Sequence, residues 1–342
     1  MTEPFAIDGS LGEGGGQVLR TSLALAAITG RAIRIDNVRA RRAKPGLQRQ
    51  HLACVLAAAR VCNASVRGAV LGSGRVDFAP QAIVAGEYVF DIGTAGSTGL
   101  VVQTVLPILL CASGPSRVVV TGGTHNPLAP SYDFLARAFV PIVRRMGADV
   151  SIEIERYGFN PGGGGRVVCT IVPSSLVGLE LVDGGAVTRR HARAVSARLP
   201  THVCERELAV VQSQLGWRVD ECAASSVDAV TPGNALSLEV ERAGVVEIVT
   251  GFGEKGTRAE LVASRACDEL RAYLAHDAPV GEHLADQLLI PMALARGGRF
   301  RSAPLSRHAR TNIEVVARFM DVRFDVAETA DDVIVSVSSA HA

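Results

Sequence analysis

Aromatic side chains make up only 4% of the 342 residues, and tryptophan occurs once. The interior therefore cannot rest on aromatic clusters. With 48% hydrophobic residues and 35 glycines, it is expected to pack Ala, Val and Leu helices and strands through small side chains. A surplus of charge is also lacking: 35 Lys and Arg face 34 Asp and Glu, a formal net charge of +1. No overall field then draws the chain to nucleic acid or membrane, and any polyanion has to be met by a local patch. Cysteine occurs seven times, scattered and never as C-x-x-C, which argues against a disulfide framework and a zinc site and points to a reducing compartment, the cytoplasm. Long apolar runs are missing too. The most hydrophobic stretch, LVVQTVLPILLCA, contains Gln103, Thr104 and Pro107, and the start MTEPFAIDGS has no basic segment, so neither export nor a membrane span is expected.

What the chain does have is a pattern stated three times. Each copy opens on glycine and runs through a long apolar helix, a strand, a second helix and two closing strands. The openings are GEGGGQVLRTSLALAAITG, GTAGSTGLVVQTVLPILLCASG and GEHLADQLLIPMALARGG. The second helices are LQRQHLACVLAAARVCNA, YDFLARAFVPIVRRMGA and TNIEVVARFMD, and the closing runs alternate, so each unit is expected to set two helices on a four-stranded sheet. Gly93 lies 81 positions after Gly12, whereas Gly281 lies 188 after Gly93, a surplus of 107 residues. The fold expected is α/β (α+β): a large domain of three units, residues 1–183 and 280–342, interrupted by a smaller α/β domain at 184–279. The insert reads β-α-β-β-α.

Four places carry candidate chemistry. GSLGEGGGQVLRTSLAL sets glycines before a helix whose free N–H groups can hold a phosphate, though no Gly-Lys-Ser/Thr of a P-loop follows, and tight turn packing is the other reading. Glu13 inside that run would repel phosphate unless Mg²⁺ lies between them. In RIDNVRARRAKPGLQRQH, Arg34, Arg39, Arg41, Arg42, Lys44 and Arg49 face a single acid, Asp36. This is a solvated basic edge or, favoured in a chain of such small net charge, a site for a terminal phosphate or RNA backbone. Glu282, His283, Asp286 and Gln287 open the third unit, either as dipole complements or as readers of a purine edge or a metal. Finally, His308 stands between Arg307 and Arg310; nearby cations keep an imidazole neutral, the state that attacks phosphorus.

Taken together, GEGGGQVLR, RARRAKPGLQRQH, GTAGSTGLVVQTVLP, GGTHNP followed by an AP and a DF, GEHLADQLLIPMALA and an H-x-R-T-N-I-E-V-V-A-R-F run resemble the RNA 3′-terminal phosphate cyclase family, in order and from Asp8 to the final strands. The resemblance implies three units like the C-terminal domain of a translation initiation factor, plus an inserted domain. It also implies ATP-dependent conversion of an RNA 3′-phosphate to a 2′,3′-cyclic phosphodiester. By position, His308 in H-x-x-T-N matches the nucleophile that takes AMP from ATP, and Glu13 the ligand of Mg²⁺ or Mn²⁺. Gln103 and the stretch His283, Leu284, Ala285, Asp286, Gln287 match nucleotide-binding positions, and Pro130 with Phe134 those lining adenine. Arg20, Arg39, Arg42 and Gln50 match polar residues near the RNA terminus. His283 departs from the tyrosine that family members often carry, but histidine can also stack on a base. The partner implied is RNA with a 3′-phosphate end; monomer and homodimer both stay open. Two rival readings are a cyclase-like ribosome-assembly factor, which would have lost the nucleophile kept here, and an enolpyruvyl-type transferase, which would need neither histidine nor ATP.

Overall fold

The structure, a computed structural model, describes residues 3–340. The first unit comprises β1 (Phe5–Asp8), α1 (Gly16–Thr29), β2 (Ile33–Asp36), α2 (Arg49–Val61), β3 (Ser65–Arg67) and β4 (Val76–Ala79). Strand β1 pairs parallel to β2 because the chain crosses back through α1, and β4 then adds antiparallel to both β2 and β3. Helix α1 is buried on most of its surface, as its apolar sequence demands, and stops at Gly30, whose φ of 69° provides the left-handed C-cap. The second unit repeats the order with β5 (Glu87–Asp91), α3 (Thr98–Leu109), β6 (Ser116–Gly122), a second helical segment, β7 (Asp149–Arg156) and β8 (Gly165–Val172). That segment starts as a π-helix over Phe134–Phe139 and becomes α4 (Val140–Arg145) at Pro141. Proline has no N–H to return to the carbonyl of Arg137, and the widened turn precedes it.

Strand β9 (Glu180–Leu181) follows, and then a unit of different topology: β10 (Val187–Ala197), α5 (His202–Leu215), β11 (Cys222–Ser226), β12 (Gly233–Arg242), β13 (Val245–Phe252) and α6 (Ala259–Leu274). The chain ends with α7 (Glu282–Ala295), β14 (Gly297–Ser302), α8 (Arg307–Phe319), β15 (Val322–Glu328) and β16 (Val333–Ser339). The three like sheets share one order, β1-β2-β4-β3, β5-β6-β8-β7 and β9-β14-β16-β15, while the fourth runs β11-β10-β12-β13. One core joins the three like units, and a second, with Trp217, Leu236, Leu238 and Leu270, lies between the fourth sheet and α5 and α6.

Two readings of the sequence need correction. Each unit's first strand precedes its glycine opening, and the third unit's is the two-residue β9, on the far side of the intervening sheet. The insert has four strands rather than three, because the long run ALSLEVERAGVVEIVTGF folds into the β12–β13 hairpin. Its turn uses Ala243 and Gly244, both at positive φ.

Candidate active site

His308 is the second residue of α8. The helix starts there because Ser306, in an extended conformation, accepts a hydrogen bond from the N–H of Ala309 at 3.1 Å. The imidazole is held on both nitrogens: Nδ1 lies 2.9 Å from Gln17 Oε1, and Nε2 lies 2.7 Å from Glu13 Oε2. The amide nitrogen of Gln17 donates to the Asp286 carboxylate, so its oxygen is left to accept. That assignment makes Nδ1 the donor to Gln17, and Nε2 can serve as a nucleophile only once its contact with the Glu13 carboxylate is given up. Asp286 is fixed in turn by Asn312, whose Nδ2 reaches its carboxylate at 3.1 Å, and Thr21 donates to the Asn312 oxygen at 2.8 Å. Burial pushes the Asp286 carboxyl above its usual range, against the pull of His308, Gln17, Arg20 and Asn312.

Glu13 rides on the glycine run, where Gly12 and Gly14 each take φ +57°. The run is also tight. A side chain at Gly12 would strike Thr311, and one at Gly16 would come 2.5 Å from His51 Nε2 and 3.0 Å from an Arg20 nitrogen. Arg42 donates to Glu13 Oε2 at 3.0 Å and Arg41 to the Gly12 carbonyl at 2.7 Å, which locks the basic loop onto the run. His51, 5% exposed, is the centre of the basic cluster. Burial, then Arg39, Arg20 and Arg42, push its imidazole down to about 3, and its Nδ1 has no partner among the described residues. Burial likewise lowers Arg20 and Arg39. Three guanidiniums around a neutral histidine, at the N-terminus of α1, leave positive charge for an anion to satisfy.

A cleft, joined to His308 through Gln17, is lined by polar Gln17, Arg20, Gln103, Asp286, Gln287 and Asn312 and by apolar residues that include Leu106, Phe139 and Ile290. Gln103 donates to Gln287, which donates to Asp286 at 3.2 Å. The structure thus brings His308, Glu13, Arg20, Arg42, Gln103, Asp286 and Gln287 into one neighbourhood. It does not bring the rest equally. Arg39 spends a nitrogen on the carbonyls of Lys44 and Gly46 at 2.6 and 2.9 Å, and Gln50 accepts from Ser97 N at 3.2 Å, the N-cap of α3. Leu284 and Ala285 point into the core, at 0% and 1% exposure, and the N–H of Ala285 is spent on the Gly281 carbonyl at 2.9 Å, so neither side chain is presented to a ligand. His283 is exposed, 3.9 Å from Glu269, while Phe134 is buried and Pro130 half-buried at the start of the π-helical segment.

Sequence reasoning missed Gln17, His51, Thr21 and Asn312. Gln17 and Asn312 sit inside the quoted motifs, one after the glycine run and one closing H-x-x-T-N, and their amides form the link from His308 to Asp286. His51 ends the basic motif, and only its burial distinguishes it. Among the described residues no three His, Cys, Asp or Glu side chains converge as a metal cluster. Glu13 is a lone carboxylate, so a divalent ion here would take its other ligands from water and phosphate oxygens, as Mg²⁺ commonly does.

The family description "RNA 3′-terminal phosphate cyclase" matches residues 11–326. The chain belongs to this family. Relatives bearing that name include one from Koribacter versatilis, 47% identical over 337 residues, covering 98% of this chain and 95% of its own. One from Ectopseudomonas mendocina is 48% identical over 317 residues, 92% of each chain. Another, from Salmonella typhimurium, is 47% identical over 339 residues, 99% of this chain and 100% of its own. Among solved structures, EPSP synthase from Acinetobacter baumannii aligns with 98% of this chain and 64% of its own at a TM-score of 0.29 and 13% identity, which supports neither a shared fold nor a shared reaction. No helix of the described residues is long and apolar enough to cross a membrane.

Proposed function

We propose that the protein is an ATP-dependent RNA 3′-terminal phosphate cyclase that works through a covalent histidyl-AMP, with the catalytic site in residues 1–183 and 280–342 and 184–279 as an inserted domain. The observation that carries the reading is the chain Asp286–Gln17–His308, which fixes the imidazole through Nδ1 and turns Nε2 toward Glu13 beside an anion-seeking cluster. Nε2 attacks the α-phosphorus of ATP, the bond to the β-phosphate oxygen breaks, and pyrophosphate leaves. A 3′-phosphate oxygen of RNA then attacks the same phosphorus, the P–N bond breaks, and the imidazole is released. In the resulting RNA-adenylate the 3′-phosphorus carries a leaving group, so the neighbouring 2′-oxygen attacks it and AMP departs. Glu13 now occupies Nε2 at 2.7 Å, so it has to swing off as the nucleotide arrives. Mg²⁺ or Mn²⁺ held by Glu13 would spread the charge of the phosphates. Asp286, Gln287 and Gln103 are assigned to the nucleotide, with His283, Pro130 and Phe134 toward its base, and Arg20 and Arg42 to the RNA phosphate.

Incubation with α-labelled ATP and Mg²⁺ or Mn²⁺ tests this directly. Label is expected on His308, stable to alkali and lost in acid, whereas γ-label leaves with pyrophosphate. His308→Asn should fold, form no adduct and make no cyclic end. Adduct on any other residue, or cyclisation by the asparagine variant, refutes the mechanism.

A further inference from the structure

Residues 275–281, which join α6 to α7, are gripped by side chains that the proposed chemistry does not use. Tyr273 donates to the Pro279 carbonyl at 3.0 Å, and Arg242, 4.9 Å over the Tyr273 ring, donates to the His276 carbonyl at 3.0 Å. The third grip is on α7 itself. Glu247, buried on β13, accepts from the N–H of Gly281 at 3.1 Å, and Gly281 is the N-cap of α7. With φ −77° this glycine is not required by backbone conformation. It is required by space: a Cβ there would lie 2.5 Å from each oxygen of the Glu247 carboxyl. Helix α7 has no side-chain cap of its own, so a carboxyl from another sheet occupies that place.

Five and six residues further along α7 stand Asp286, bonded to Gln17 and Asn312, and Gln287, bonded to Gln103. A helix transmits an axial shift of its first turn to the next. We propose that Glu247 is a positioning residue that ties the N-terminus of α7 to the β10–β13 sheet and so sets where Asp286 and Gln287 meet the nucleotide. The kinetic consequence rests on the adenylation reading above; the structural one does not. The groups facing the carboxyl are Gly281 N–H and, from α6, Glu269 and Tyr273, the last with Arg242 of β12 over its ring. Burial, opposed by the Gly281 bond and aided by Glu269, raises Glu247 to about 8, so it bonds as a neutral group at pH 7. A glutamine can therefore replace it, and an alanine cannot.

The test compares the full-length parent, Glu247→Gln and Glu247→Ala by the ATP dependence of histidine adenylation and by amide exchange over residues 281–287. Loss of one capping hydrogen bond should raise the ATP KM of the alanine variant about three- to tenfold, with the saturating rate nearly unchanged. Exchange at 281–287 should quicken in the same variant, and glutamine should restore both to within about twofold of the parent. A merely destabilised protein would instead lose saturating rate at constant KM. Identical KM and exchange in all three proteins, or a glutamine variant as impaired as alanine, overturns the proposal. If the parent itself takes no AMP, the adenylation reading falls and the exchange comparison alone decides the positioning role.

Discussion

Arg20, Arg39 and Arg42 all crowd His51, yet they are not equivalent side chains. Arg42 reaches out of the cluster to Glu13, while Arg39 donates inward to its own loop at Lys44 and Gly46. A guanidinium already bonded to carbonyls has fewer donors for a phosphate, whereas one held by a single half-buried carboxylate can exchange partners. Arg42→Ala should therefore lower cyclisation of a 3′-phosphate end about 10- to 100-fold and histidine adenylation about threefold or less. Arg39→Ala should loosen the loop and depress both steps together, with a matching fall in melting temperature. Parallel loss of the two activities in a fully folded Arg42 variant would move that residue to the nucleotide side. Residue type marks His308 and Glu13 as chemically odd, a histidine between arginines and a carboxylate in a glycine run, but the roles proposed for them come from the family resemblance. The partners that orient them were not legible. Gln17 and Asn312 act through the geometry of two helices far apart in sequence, and an amide has no charge to betray it.

At the level of elements, the glycine run shows why local propensity is a poor guide near a site. Gly16 is the first residue of α1, where alanine would favour the helix by at most about 1 kcal/mol. Its Cβ, however, would press on the ring of His51, which is buried and cannot rotate away, at a cost of about 1–3 kcal/mol. Overpacking wins, so Gly16→Ala should destabilise the protein by about 1–2 kcal/mol in denaturant titration. A stabilised variant would mean that His51 has room the structure does not show. Long helices were readable here because apolar spacing persists over many residues, as in α2 and α8. Strands β1 and β5 sit just before turns and were passed over, and β9 is two residues long, too short for any alternation to register. The β12–β13 turn was missed because alanine, not asparagine or aspartate, precedes its glycine.

For the whole molecule, the net charge of +1 conceals how the cations are distributed. The arginines of the basic strand β10 are spent on acids. Arg189 pairs with Glu239 and Glu241, Arg190 with Glu221, and Arg193 approaches Asp133. On β2, Arg34 pairs with Asp77. The guanidiniums around His51 form a compact group by comparison, opposed chiefly by Glu13 and Asp286. A protein built this way should recognise an RNA end and ignore the strand behind it. Affinity for a 3′-phosphate oligonucleotide should therefore stop rising after the first few nucleotides. Its logarithm should fall with the logarithm of salt concentration at a slope of about −1.4 to −2.1, as two or three single-strand phosphate contacts require. Arg42→Gln should make that slope shallower by about 0.7, one contact's worth, at every RNA length. Affinity that climbs about tenfold or more between short and long RNA, with a slope steepening in step, would reveal a binding tract outside the cluster and overturn the end-reading view.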